Sequence, residues 1–266
     1  MAINRQFLTA AQISNTDKSA WSKFLDLFDL RYGVEPAEKA VLLDDFIGTW
    51  LITDAGPADQ WSSTAGSGTT PIIATTVAGS INGEVTLKSA TTDAATIAAV
   101  GASLTGINLG YKANQGGLTL EARLKIDDVD KAYLFVGFTD VISSTVEGPI
   151  FLVAADIDSD AADACGVGYD VDGTTKQFFH GGVKADVDTV PAYSGAPPVT
   201  DTYFTVRVEV SAAGAVQGFI DDVAIGAAVA NAVTETVALT PAIVIGTRST
   251  GQVIATIDYI KVSQNR

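Results

Sequence analysis

The stretch Leu118-Thr119-Leu120-Glu121-Ala122-Arg123-Leu124-Lys125-Ile126 alternates apolar and polar residues without a break. In an extended chain successive side chains point to opposite sides, so this pattern buries one face and wets the other. A helix would scatter the same apolar residues around its circumference. The stretch therefore predicts a strand with one face in a core. Phe204, Val206, Val208 and Val210 repeat the pattern, alternating with Thr205, Arg207 and Glu209. Residues 132–138 and 150–155 are apolar on both faces, as inner strands are. Further strands are expected at 46–51, 83–88, 164–170, 177–183, 215–220, 223–227, 241–247 and 253–262. Turn pairs fall between them: Asn82-Gly83, Gly116-Gly117, Asp172-Gly173 and Ala213-Gly214. Residues 188–202, with Pro191, Gly195, Pro197 and Pro198, read as one long surface loop. Many short strands without intervening helices predict a mainly β domain over 46–266, an antiparallel jelly-roll β-sandwich.

Residues 1–45 follow a different period. Thr9 and Gln12 fit a capping box. Trp21, Phe24, Leu25 and Phe28 recur at i, i+3, i+4 and i+7, which places four large apolar groups on one helix face. Asn15 or Thr16 suits the start of that helix and Gly33 its end. Glu35-Pro36 opens a second short helix over 37–43. The segment reads as an N-terminal helical arm. Its apolar stripe is expected either to cap the chain's own sandwich or to dock on another subunit.

The 266 residues suffice for a self-supporting core. Apolar residues make up 47% and mean hydropathy is +0.27, which excludes a disordered chain. Only 18% of residues are charged, which fits a β-rich chain better than a helical bundle. Cys165 is the one cysteine, so neither an intramolecular disulfide nor a thiolate cluster can form. His180 is the one histidine, which excludes multi-histidine zinc sites. The net charge of −15 repels phosphate and anionic lipid, so neither nucleic acid nor a membrane is an expected partner. No run of about 18 apolar residues occurs and no apolar signal segment is expected.

Tyr203-Phe204-Thr205-Val206-Arg207-Val208-Glu209-Val210, Gly214, and Gly218-Phe219-Ile220-Asp221-Asp222-Val223-Ala224-Ile225-Gly226 form a three-strand meander. It resembles the late strands of concanavalin A-like (laminin-G-like) jelly rolls, with Asp222 where those often carry Gly. Ile257-Asp258-Tyr259-Ile260-Lys261-Val262 resembles the closing strand of glucanase-type members. Together with 117–123 and 136–140, the pattern looks like tailed-phage virion proteins built on this sandwich, of the head decoration type.

Glucanases of this class use paired carboxylates in a Glu-x-Asp-x-(x)-Glu strand. This chain has no such segment. Its nearest echo is Asp156-Ile157-Asp158-Ser159-Asp160, whose acids would share one face of an extended strand. A serine triad would need His180, whose neighbours Phe178-Phe179 and Gly181-Gly182 read as an ordinary strand entering a turn. No catalytic residue is therefore expected, and the chain is read as a non-enzyme. Residues 127–188 hold thirteen acids against three bases. Within that run Asp156, Asp158, Asp160, Asp170 and Asp172 are candidate calcium ligands; the alternative is a solvated acidic face.

Two functions follow. The first is a virion decoration protein on the capsid surface, partnered by the major capsid protein and by copies of itself. The resemblance implies a homo-oligomer, with a trimer favoured. Trp21, Phe24, Leu25 and Phe28 would form its interface, and it would be made in the host cytoplasm. The alternative is a carbohydrate-binding or fibre domain recognising host glycan. That alternative expects exposed aromatics converging on one face, with Trp50, Trp61, Tyr111, Tyr169 and Tyr193 as candidates.

Overall fold

The computed structural model describes residues 39–46, 61–65, 75–76, 83–91, 97, 101–106, 110–141 and 148–265. In chain order the strands are β1 (Lys39–Asp44), β2 (Trp61–Ala65), β3 (Thr75–Thr76), β4 (Val85–Lys88), β5 (Ala102–Gly106), β6 (Leu118–Ile126), β7 (Ala132–Thr139), β8 (Phe151–Val153) and β9 (Asp156–Asp158). They continue as β10 (Asp163–Asp170), β11 (Phe179–Lys184), β12 (Val187–Asp188), β13 (Ala192–Tyr193), β14 (Phe204–Val210), β15 (Val216–Ile220), β16 (Val223–Ala224), β17 (Thr240–Thr247) and β18 (Ile254–Asn265). All the strand pairs are antiparallel, and the molecule is a jelly-roll β-sandwich.

The first sheet runs β16-β15-β14-β6-β18-β4-β3, with β1 also on β18. The second runs β12-β11-β10-β7-β17-β5-β2, with β13 also on β11. Alternation explains the first sheet. Leu118, Leu120, Ala122, Leu124 and Ile126 of β6 are buried, as are Phe204, Val206, Val208 and Val210 of β14. They pack with Leu134, Val136 and Phe138 of β7 and with Ile243 and Ile245 of β17 in one core between the sheets. The second sheet is buried on both faces. Tyr133, Phe135, Phe179, Ala242 and Val244 on its outer side form a second cluster with Ile150, Leu152 and Ile157.

Those last three residues flank or belong to β8 and β9, which correct one expectation. Residues 150–155 are not an inner strand of the sandwich. Among the described residues β8 and β9 pair only with each other, and they lie across the outer face of the second sheet. Close approach is possible because glycine lies beneath: a Cβ at Gly181 would lie 2.3 Å from Cδ1 of Ile157, and one at Gly173 would lie 2.5 Å from Cδ1 of Leu152.

A second correction concerns 37–43, read above as a short helix. Residues Lys39–Asp44 form a strand paired with β18 from Lys39↔Asn265 to Asp44↔Ile260. The helix-forming residues Ala40, Leu42 and Leu43 yield to a ladder offered by the long closing strand, a tertiary override of a weak local preference. The sandwich thus draws in six residues from the N-terminal side of residue 45. Asp44 then fixes the entry to the core, accepting from Phe46 N at 2.9 Å and from Trp61 Nε1 at 3.1 Å. The helix expected around Trp21, Phe24, Leu25 and Phe28, and the strand expected at 46–51, lie outside the described residues, apart from buried Phe46.

Candidate functional site

The polar side chains of β6 face away from the core, and strand register extends them into rows across the first sheet. Phe219, Arg207, Glu121 and Lys261 stand side by side on β15, β14, β6 and β18. The next row brings together Thr205, Arg123 and Tyr259. A bulge in β18 between Ile257 and Tyr259 re-aims Asp258 and Tyr259.

Aromatic and charged groups interlock on this face. The Arg207 guanidinium lies 3.9 Å from the Phe219 ring centre, and that of Arg123 lies 4.3 Å from the Tyr203 ring. Lys125 Nζ is 5.0 Å from the same ring. Such stacks fix the cations over flat apolar surfaces. Arg123 Nη1 donates to Asp258 Oδ2 at 2.5 Å, while Arg207 pairs with Glu209 and, at 3.3 Å, with Asp222. Tyr259 OH donates to Glu121 Oε1 at 2.9 Å and Tyr203 OH donates to Glu84. Burial, and then the Glu121 carboxylate, push the Tyr259 phenol up to about 12, so it stays a donor at neutral pH. Donors, acceptors and half-buried rings therefore alternate at the strand spacing of about 4.8 Å. This arrangement suits a hydroxyl-rich ligand with apolar C–H faces.

Two pockets of about 340 Å³ each flank the face. One lies at the C-terminal end of β14 and is walled by Gly116, Thr119, Glu209, Ser211, Ser263 and Asn265. The other lies at the N-terminal end of β14, under the 194–202 loop, and is walled by Phe178, Pro197, Pro198, Val199, Tyr203 and Val223. Tyr203 belongs both to this pocket and to the face. The β15–β16 turn forms part of its wall, and there Asp221 and Asp222 both take positive φ (48° and 63°). That is the tight hairpin geometry, here met by two Asp residues without glycine.

The aromatics that sequence reasoning nominated do not converge. Trp61 and Tyr169 are core residues, and Tyr111 packs edge-on to Phe138. Tyr193 is half-buried beside Phe179, and Trp50 lies outside the described residues. The aromatics that do share a face are Tyr203, Phe219 and Tyr259. Phe219 was readable from its place among the outward positions of β15; the bulge hid Tyr259.

The candidate calcium ligands are also dispersed in the structure. Asp170 is buried and forms a two-point pair with Arg248, at 3.0 and 2.6 Å. It also accepts from the N–H groups of Leu152 and Asp172. Burial pushes its carboxyl up against the pull of Arg248 and those N–H groups. Asp172 lies 3.6 Å from Arg248 Nε. Asp160 accepts from Gly148 N at 2.9 Å. Asp156 and Asp158 do share the exposed side of β9, with Ile157 buried between them, but β9 ends before Asp160. Among the described residues no three acidic, cysteine or histidine side chains are grouped so as to hold a metal ion. His180 is structural: Nδ1 accepts from Gly218 N at 2.8 Å, which leaves Nε2 to donate to Ala227 O at 3.0 Å. Burial lowers the pKa of its imidazole.

No family model matches the chain, and no curated protein matches it by sequence. Solved structures do match. A protein of unknown function from Shewanella oneidensis MR-1 is similar at TM-score 0.55 and 12% identity, over 99% of this chain and 97% of that one. The carbohydrate recognition domain of Emp47p is similar at TM-score 0.53 and 10% identity, over 88% and 100%. A prokaryotic β-1,3-1,4-glucanase (lichenase) from a mouse hindgut metagenome is similar at TM-score 0.52 and 10% identity, over 84% and 98%. The chain has a concanavalin A-like jelly-roll fold. The fold carries both lectins and hydrolases, so function rests on the site.

Proposed function

We propose that this protein is a non-catalytic carbohydrate-binding domain whose ligand lies against the outer face of the first sheet. The observation that carries the reading is the convergence of Tyr203, Phe219 and Tyr259 with Arg123, Arg207 and Glu121 on that one face. Planar donors and carboxylates give orientation, and the rings give apolar contact, the combination a small-molecule site needs. The similar structures favour this reading over a capsid role. Binding without hydrolysis fits the face, because its carboxylates are each committed to a neighbour: Glu84 to Tyr203, Glu121 to Tyr259, Glu209 to Arg207, Asp258 to Arg123. A glycosidase needs one carboxyl free to protonate the leaving oxygen and a second across the scissile bond.

The test is a glycan array followed by calorimetry with the best oligosaccharide. Arg207→Ala should weaken binding about ten- to a hundredfold, since a charged hydrogen bond contributes about 1.5–3 kcal/mol. Arg123→Ala should do the same. No reducing ends should appear on prolonged incubation. Silence on the array, or unchanged affinity in both variants, would sink the reading.

A further inference from the structure

We infer that the ligand of this face is an extended, uncharged oligosaccharide held between the two pockets, and not a single terminal sugar. This rests on the carbohydrate reading above. The pockets lie at opposite ends of β14, and the six steps from Phe204 to Val210 span about 20 Å at about 3.3 Å each. Either pocket alone, at about 340 Å³, has room for a single sugar. Two pockets of equal volume, joined by a face of alternating donors and acceptors, provide for several units in line.

The two ends differ in chemistry. At one, the Thr119 and Ser263 side chains face each other across β6 and β18, with Glu209 beside Thr119. Among the described residues neither hydroxyl is hydrogen-bonded, so both are available to a ligand. At the other end the rim is apolar: Val199 and Val223 are 63% and 69% exposed, next to Pro197 and Tyr203. A sugar chain meets both demands, presenting hydroxyls at one end and a C–H face at the other.

Charge selects a neutral chain. The net charge of −15 repels a polyanion on approach. A polycation would be drawn in, yet on this face the carboxylates of Asp258, Glu209 and Asp222 are already held by Arg123 and Arg207, which it would have to displace. Only an uncharged polymer avoids both penalties.

The experiment is calorimetry of the full chain with neutral glucan, mannan, galactan and xylan oligosaccharides of two to eight units, with oligouronates as the charged control. Affinity for the preferred class should rise at least tenfold with length and then level off once the span is filled. Val199→Asp, and Thr119→Ala combined with Ser263→Ala, should each return the long chain to short-chain affinity. All three positions are at least partly exposed, and circular dichroism checks that the fold is kept. Equal affinity for all lengths, wild-type length dependence in both variants, or tighter binding of oligouronates would overturn the extended-chain inference while leaving the face as a sugar site. No binding by any class would overturn the carbohydrate reading itself.

Discussion

A single imidazole bridges the two sheets. His180 belongs to β11 of the second sheet, yet Nδ1 takes the N–H of Gly218 in β15 of the first. A proton on that nitrogen would break the bond and place a charge in the core. The folded protein therefore resists protonation that the unfolded chain accepts near pH 6.5. With the folded pKa depressed, the contribution is full above about pH 6.5 and is lost as pH falls below it. Wild-type stability should fall by up to about 1.4 kcal/mol per pH unit in that window, relative to His180→Gln. Urea melts of both proteins between pH 7.5 and 5 check this, and the difference isolates the imidazole from the carboxylates. Parallel curves would contradict it. The role of His180 was legible, because Phe178-Phe179-His180-Gly181-Gly182 offers no base or nucleophile beside it. The aromatic platform was only half legible. Alternation shows which way Phe219 points, but which rings become neighbours depends on the order β15-β14-β6-β18, and no local pattern encodes that order.

At the scale of elements, the β8–β9 hairpin shows the limit of periodicity. An apolar run reads alike in a central strand and in a hairpin pressed by one side onto a sheet, where Val153 on the other side stays 54% exposed. What distinguishes them here is long-range chemistry. Asp170 caps Leu152 N, and Tyr133 OH donates to Ile150 O at 2.9 Å. Arg248 completes the lock, pairing with Asp170 and lying 5.1 and 5.5 Å from the Tyr133 and Phe151 ring centres. Burial of Ile150, Leu152 and Ile157 contributes about 1.5–3 kcal/mol each, enough to keep the hairpin down. Arg248→Met should cost about 3–5 kcal/mol, because it strands a buried carboxylate. Adding Asp170→Asn should recover part of that loss. Chemical denaturation of the single and double variants decides; a single variant within about 1 kcal/mol of wild type would show that the pair does not hold the hairpin. The strand β1 failed in the opposite sense: its residues favour a helix alone, and only β18 makes them a strand.

For the whole molecule, length and alternation were enough to give the sandwich, since strands such as Leu118–Ile126 fix which face is core. The way the chain closes was not legible, because it depends on one long strand serving three neighbours, β6, β4 and β1. That closure has a mechanical consequence. Lys39 lies opposite Asn265, so the chain enters and leaves the sandwich at the same end of an antiparallel pair. Tension applied through the flanking chain would act across the ladder and load its rungs one at a time, starting at Lys39↔Asn265. Six residues would peel away at low force before the two sheets carry any load. Pulling on handles attached on either side of 39–265 in an optical trap should show a small early extension that reverses on relaxation, followed by a separate rupture at higher force. A single abrupt rupture would mean that β1 is sheared together with the sheets. With such a clasp the domain yields slightly to a tug while the outward rows of its first sheet stay in register, as a shock absorber does in a tether.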